Sequence, residues 1–124
     1  MLRSADVTEQ IIGAAIGVHK ELGPGLMESI YEGALSCELG LRGVAHERQV
    51  ELPVRYKGQD LGAPCRIDLM VADSVVVELK AVEAVLPIHE AQLLTYLRMS
   101  GKRTGLLTNF NVPKLKDGIV RRVL

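Results

Sequence analysis

The sequence predicts an α/β fold, a mixed central sheet flanked by helices with a helical hairpin at its N-terminal side. Three observations carry that prediction. Apolar residues recur at helical spacing from Val7 to Leu41, strand alternation replaces them around Val50, and a strand–helix–strand order runs from Val75 to Phe110. At 124 residues the chain has length for one core, and residues 1–124 are read as one domain. Hydrophobic residues make up 48% and charged residues 24%, a globular balance that argues against disordered, collagen-like or coiled-coil classes.

Val7, Ile11, Ala14, Val18 and Leu22 fall on one helical stripe, and Asp6 with Glu9 suits a capping box, so the first helix is expected from Asp6 to Leu22. "GPG" at 23–25 ends it. A second helix is expected from Met27 to Arg42, with Ile30, Ala34, Cys37 and Leu41 on one face and Gly43 as its cap. In "HERQVELPVRY", Val50, Leu52, Val54 and Tyr56 alternate with polar residues as in a strand with one buried face, and "KGQD" makes the turn. Strands are expected over Leu61–Val71 and Val75–Ala81, with Pro53 and Pro64 placing kinks or edges in the sheet. Pro87 opens a third helix that Gly101 caps, with Ile88, Ala91, Leu94 and Leu97 as its buried face. "TGLLTNF" reads as a buried strand, parallel to Val75–Ala81 through a right-handed crossover, and "IVRRVL" as an edge strand.

The chemistry concentrates in "RIDLMVADSVVVELKA". A three-residue loop, Ala72 to Ser74, sets Val71 against Val75, Leu69 against Val77 and Asp68 against Glu78. Two carboxylates at about 5 Å repel by roughly 3 kcal/mol at an effective dielectric near 20, whereas a good cross-strand pair contributes only about 0.2–1 kcal/mol. Packing does not justify that pairing, but a hard cation such as Mg²⁺ or Mn²⁺ does. Lys80 shares a strand face with Glu78, where its ammonium offsets excess charge or meets a phosphate or the attacking water. On the third helix Gln92 and Tyr96 lie at i and i+4, with His89 on the same stripe. In "GLMESIY", Glu28 and Tyr31 share a helical face just after the rigid corner, and Glu32 follows Glu28 at i+4.

Cys37 and Cys65 form no CxxC pair and no zinc-finger spacing is present, which fits a reducing cytoplasm. The run "IIGAAIGV" is too short to span a membrane and reads as a buried helix face. Net charge is zero, so nothing attracts nucleic acid globally. The charge is uneven, however: residues 98–124 sum to +6 and residues 1–97 to −6, which suits a basic phosphate-binding rim beside an acidic metal-binding region.

"GLMESIY", with Gly25, Glu28 and Tyr31, resembles the signature of the GxxExxY protein family, and the likeness continues through "YKG", "RIDLMV", "VVVELKA", "HEAQLLTYL", "TGLLTNF" and "KLKDGIVRRV". That family belongs to the PD-(D/E)XK nuclease-like superfamily. The resemblance implies a restriction-endonuclease-like core with its site on a hairpin. Asp68 takes the place of the motif's first acid, Glu78 of the second and Lys80 of its lysine, with Glu28 an additional acid from the preceding helix. Gln92 and Tyr96 resemble the Q-x-x-x-Y element that lies beside substrate, and Tyr31 joins them as a substrate-binding residue. Ile67 stands where the superfamily's name has Pro. The implied activity is phosphodiester hydrolysis of nucleic acid, DNA ahead of RNA, with Mg²⁺ or Mn²⁺ held by Glu28, Asp68, Glu78 and the Leu79 carbonyl. With no net positive charge, a homodimer or partner protein is expected to complete the binding surface. A binding module without chemistry, on the same fold, is the competing reading.

Overall fold

The structure is a computed structural model describing residues 4–124. Helix α1 (Ser4–Leu22) and helix α2 (Glu28–Leu41) form the predicted hairpin. Val7, Ile11, Ala14 and Val18 are buried as their spacing requires, while Leu22 is exposed at the helix end. The corner turns on Gly23 and Gly25, at φ +69° and +100°, a region that costs residues with a Cβ about 1–2 kcal/mol.

In α2 the buried stripe is Tyr31, Leu35 and Leu39 rather than the expected Ile30, Ala34, Cys37 and Leu41, of which Ile30, Cys37 and Leu41 are exposed. Tyr31 sets this rotation. Its ring stacks on Phe110 with centroids 4.4 Å apart and planes within 7°. Its hydroxyl donates to the Gly23 carbonyl at 2.5 Å and accepts the Leu26 N–H at 3.1 Å. The helix ends one residue before the expected Arg42, with Gly43 at φ +71° and the Val44 N–H bonded to the Leu39 carbonyl at 2.9 Å.

The strands are β1 (His46–Leu52), β2 (Arg55–Tyr56), β3 (Gln59–Asp60), β4 (Cys65–Val71), β5 (Val75–Lys80), β6 (Thr104–Asn109) and β7 (Ile119–Val123). Five make one sheet in the order β1–β4–β5–β6–β7, and β2 pairs with β3 as a separate ribbon. The single strand expected through Tyr56 breaks at Pro53, and β4 starts at Cys65 rather than Leu61, just past Pro64; each proline removes a ladder donor where the strand stops. Neighbours are antiparallel except β5 and β6, which are parallel as a strand–helix–strand unit requires.

Helices α1 and α2 cover one face, packing on Leu69, Val71, Val75, Val77, Leu79 and Leu106. Helix α3 (Pro87–Ser100) covers the other, where Leu93, Tyr96 and Leu97 meet Ile67, Val76 and Leu107. Of the face expected from sequence only Leu97 is buried, and Ile88 is 68% exposed. The sheet dictates this rotation through Gly105, where a Cβ would lie 2.8 Å from Leu93 Cδ1. Leu93 occupies the space that the missing side chain leaves. Burying a leucine this fully contributes about 1.5–3 kcal/mol.

Strand alternation fails at one place. Leu69 packs on the α1–α2 side and Ile67 on the α3 side, although residues two apart should share a face. On β1, Arg48 pairs with Leu69 and reaches α2, whereas Val50 and Leu52 pack on the α3 side. Both strands therefore change faces between these residues, at Gln49 and Asp68. Gln49 has φ +51°, and no ladder pair joins it to Asp68 although the register continues on both sides. A left-handed non-glycine residue within a strand costs about 1–3 kcal/mol and is retained where the surroundings fix it.

Two substitutions test this framework. Tyr31→Phe should lower unfolding free energy in urea by about 1–2 kcal/mol, because two backbone groups at the corner lose their partner. A Cβ on Gly118 would stand 2.1 Å from the Asn109 carbonyl oxygen, so Gly118→Ala should cost about 3 kcal/mol in the same measurement.

Candidate active site

The β4–β5 hairpin keeps its predicted register, with Val71 paired to Val75, Met70 to Val76 and Leu69 to Val77. One further step sets Asp68 opposite Glu78, but the ladder stops before them. Asp68 turns its side chain into the gap between the strands, where Oδ2 accepts the Leu79 N–H at 2.8 Å. That bond holds the carboxylate in the plane of the sheet.

Glu78 is 5% exposed, and its Oε1 is the one buried side-chain polar atom among the described residues with no hydrogen-bond partner. Burial pushes its carboxyl from 4.5 up to about 10; the adjoining Asp68 carboxylate adds to the rise and the Lys80 ammonium opposes it. Without a cation the group is therefore protonated at neutral pH. An orphaned oxygen of this kind is rare because leaving it unpaired costs about 1–3 kcal/mol. Its position beside a second carboxylate suits a hard divalent ion, which takes oxygen ligands. Lys80 is half-buried and, among the described residues, its ammonium has no hydrogen bond or ion pair.

From the α3 face, Tyr96 is 9% exposed and its hydroxyl accepts the Gln92 amide at 3.0 Å. Burial, followed by the Glu78 charge, raises its pKa, so the phenol lies within electrostatic reach of that acid. His89, on the same helix, is occupied elsewhere: Nδ1 accepts the Leu86 N–H at 3.0 Å and caps α3. Asp68, Lys80 and Tyr96 are thus each coupled electrostatically to Glu78, and Gln92 joins them through its bond to Tyr96.

The α2 residues divide differently. Tyr31, expected at substrate, lies wholly in the core with its hydroxyl occupied by the corner, which is a scaffolding position. Glu28 is exposed and makes no hydrogen bond or ion pair among the described residues. Glu32, one turn later, is 9% exposed. Its Oε1 accepts the Gln49 amide at 2.5 Å, its Oε2 lies 3.1 Å from Arg48 Nη2, and the same Gln49 amide stands 3.3 Å from Asp68 Oδ1.

Three side chains here were not singled out from sequence. Glu32 was visible only as a second acid after Glu28, and Gln49 as a polar residue in an alternating strand. Asn109, 2% exposed, pairs with both backbone groups of Val82, accepting its N–H at 3.1 Å and donating to its carbonyl at 2.9 Å. It thereby fixes the chain leaving Lys80. Among the described residues no three His, Cys, Asp or Glu side chains converge closely enough to ligate one ion, so the pair Asp68 and Glu78 is the nucleus of the site.

The basic C-terminal third is only partly available as a rim. Lys102 pairs with Asp73 at 3.1 Å and Arg122 with Glu90 of α3, whereas Lys114, Lys116 and Arg121 are exposed. A cavity of about 310 Å³ opens elsewhere, lined by Ile16, His19, Lys20, Pro113 and Leu115 and lacking any acid. Among the described residues no helix is long and apolar enough to cross a membrane, and both cysteines are free.

A family model described as the PD-(D/E)XK nuclease superfamily matches residues 5–123. No curated protein and no solved structure matches the chain.

The Glu78 shift has a sign that stability measurements can read. The folded protein keeps a proton that the unfolded chain releases above about pH 4.5, so the metal-free fold loses stability as pH rises from there towards 10. Glu78→Gln removes the effect. Urea unfolding should find the variant about 3 kcal/mol more stable than the wild type at pH 7, with the difference shrinking towards pH 4.

Proposed function

The chain belongs to the PD-(D/E)XK nuclease superfamily, and on that premise we propose that it is a divalent-metal-dependent nuclease acting through Asp68, Glu78 and Lys80. The observation that carries the reading is the buried, unpartnered Oε1 of Glu78 next to Asp68. Mg²⁺ or Mn²⁺ would be held by Asp68, Glu78 and the Leu79 carbonyl, with an acid of α2 completing the set. When bound, the ion polarises the scissile phosphate and lowers the pKa of water.

The chain's own residues do the remaining work. Lys80, on the strand face of Glu78, positions the attacking water and stabilises negative charge growing on the phosphate oxygens. Gln92 and Tyr96 present an amide and a phenol to the substrate backbone. Asp68, tied to the Leu79 N–H, keeps the two acids in fixed relation as charge develops. The exposed Lys114, Lys116 and Arg121 supply phosphate contacts away from the reacting centre.

Assignment to the GxxExxY branch rests on Gly25, Glu28 and Tyr31 with the segments that follow them. DNA is the favoured substrate over RNA. A second copy or a partner protein supplements the grip of a chain with zero net charge, and a cytoplasmic setting suits two free thiols.

The test is cleavage of plasmid, single-stranded DNA and RNA in Mg²⁺ or Mn²⁺. Asp68→Asn and Lys80→Ala should each reduce the rate by about a hundredfold or more, and EDTA should abolish it. Cleavage that survives both substitutions would exclude this site. Metal binding without cleavage of any substrate would make the protein a binding module.

A further inference from the structure

In a regular strand Arg48 and Gln49 point to opposite faces of the sheet. Here both reach the same carboxylate, Arg48 at Glu32 Oε2 and Gln49 at Glu32 Oε1. The positive φ of Gln49 makes this possible, since it turns the side chain towards α2. From that position the one amide group also lies 3.3 Å from Asp68 Oδ1. Glu32 and Asp68 therefore face each other across a single nitrogen.

A second observation points to a ligand at this place. Glu78, 5% exposed and next to Asp68, has an oxygen with no partner. Glu32 and Glu78 thus each neighbour Asp68, the first through Gln49 and with Arg48 on its other oxygen, the second directly and with Lys80 nearby. Glu28, one turn nearer the corner, is exposed and unattached among the described residues.

We propose that Glu32, rather than Glu28, is the acid that α2 brings to the metal-binding site, and that Gln49 positions it against Asp68. The inference rests on the nuclease reading above. Arg48 takes up Glu32 Oε2 with both Nε and Nη2, at 3.2 and 3.1 Å, whereas Oε1 has Gln49 as its one partner and keeps a lone pair with which to meet an ion. Gln49 acts through Glu32 and Asp68 and is a positioning residue.

Calorimetric titration of Mn²⁺ into the purified chain tests this, with thermal melts on every variant. Glu32→Gln and Gln49→Gly should each weaken Mn²⁺ binding about tenfold or more, and Glu28→Gln should stay within about twofold of the wild type. Gln49→Gly is the informative variant, because glycine adopts the positive φ freely. It should melt at or above the wild-type temperature while losing affinity; unchanged affinity would mean that Gln49 is merely structural and would overturn its role. If Asp68→Asn abolishes binding but Glu32→Gln does not weaken it, or if Glu28→Gln costs more than Glu32→Gln, the assignment of Glu32 fails and the nuclease reading stands. If the wild type takes up no Mn²⁺, even with a non-cleavable phosphorothioate oligonucleotide present, both fail together.

Discussion

Between β4 and β5 the hydrogen bond that should continue the ladder is made by a side chain. Asp68 accepts the Leu79 N–H with its carboxylate, which satisfies that backbone donor while letting β4 peel away from β5. Most of the unusual geometry follows from this exchange. The gap it opens lies beside Glu78, whose buried Oε1 has no hydrogen-bond partner. β1, paired to β4, has to follow the same change of course, and it does so through the left-handed conformation of Gln49. Beyond that point both strands feed the α3 core instead of the α1–α2 core.

The helices are fitted to this sheet by single contacts that override their own periodicity. Tyr31 against Phe110 turns α2, and Leu93 over Gly105 turns α3. Each rotation has a chemical result. In α2 it brings Glu32 inward and leaves Glu28 in solvent, and in α3 it buries Tyr96 within electrostatic reach of Glu78, with Gln92 as its donor. The stacking partner Phe110 donates its N–H to the Lys80 carbonyl at 2.9 Å, so the α2 anchor and the end of β5 are joined directly.

The hairpin was legible in the sequence because its register needs only a loop length and alternation: the pairs from Val71–Val75 to Leu69–Val77 follow without knowledge of any other element, whereas the expected pairing of Asp68 with Glu78 lies one step past the end of the ladder. The parallel β5–β6 pair and the hairpin of helices were legible for a similar reason, since connection length and apolar spacing specify them. The α2 and α3 faces were not. Ile30 and Ile88 are as apolar as Leu35 and Leu93, and only partners distant in sequence, Phe110 and Gly105, decide which are buried. Gln49 was hidden more thoroughly. Nothing in "HERQVEL" marks a residue at positive φ, and the alternation of Val50 and Leu52 looks uninterrupted because the break falls just before them.

Gly118 and Asn109 extend the support of the site to the far edge of the sheet. The Asn109 amide stands in for a strand neighbour of Val82, holding the backbone just past Lys80, and the Asn109 carbonyl lies where a side chain on Gly118 would be. Gly118 leads straight into β7, which pairs with β6 from Thr108 back to Thr104. The last strand is thus a buttress for residues nearly forty positions earlier in the chain. Trimming β7 away would loosen the exit of β5, so the position of Lys80 depends on a strand that the chain adds long after the hairpin is complete.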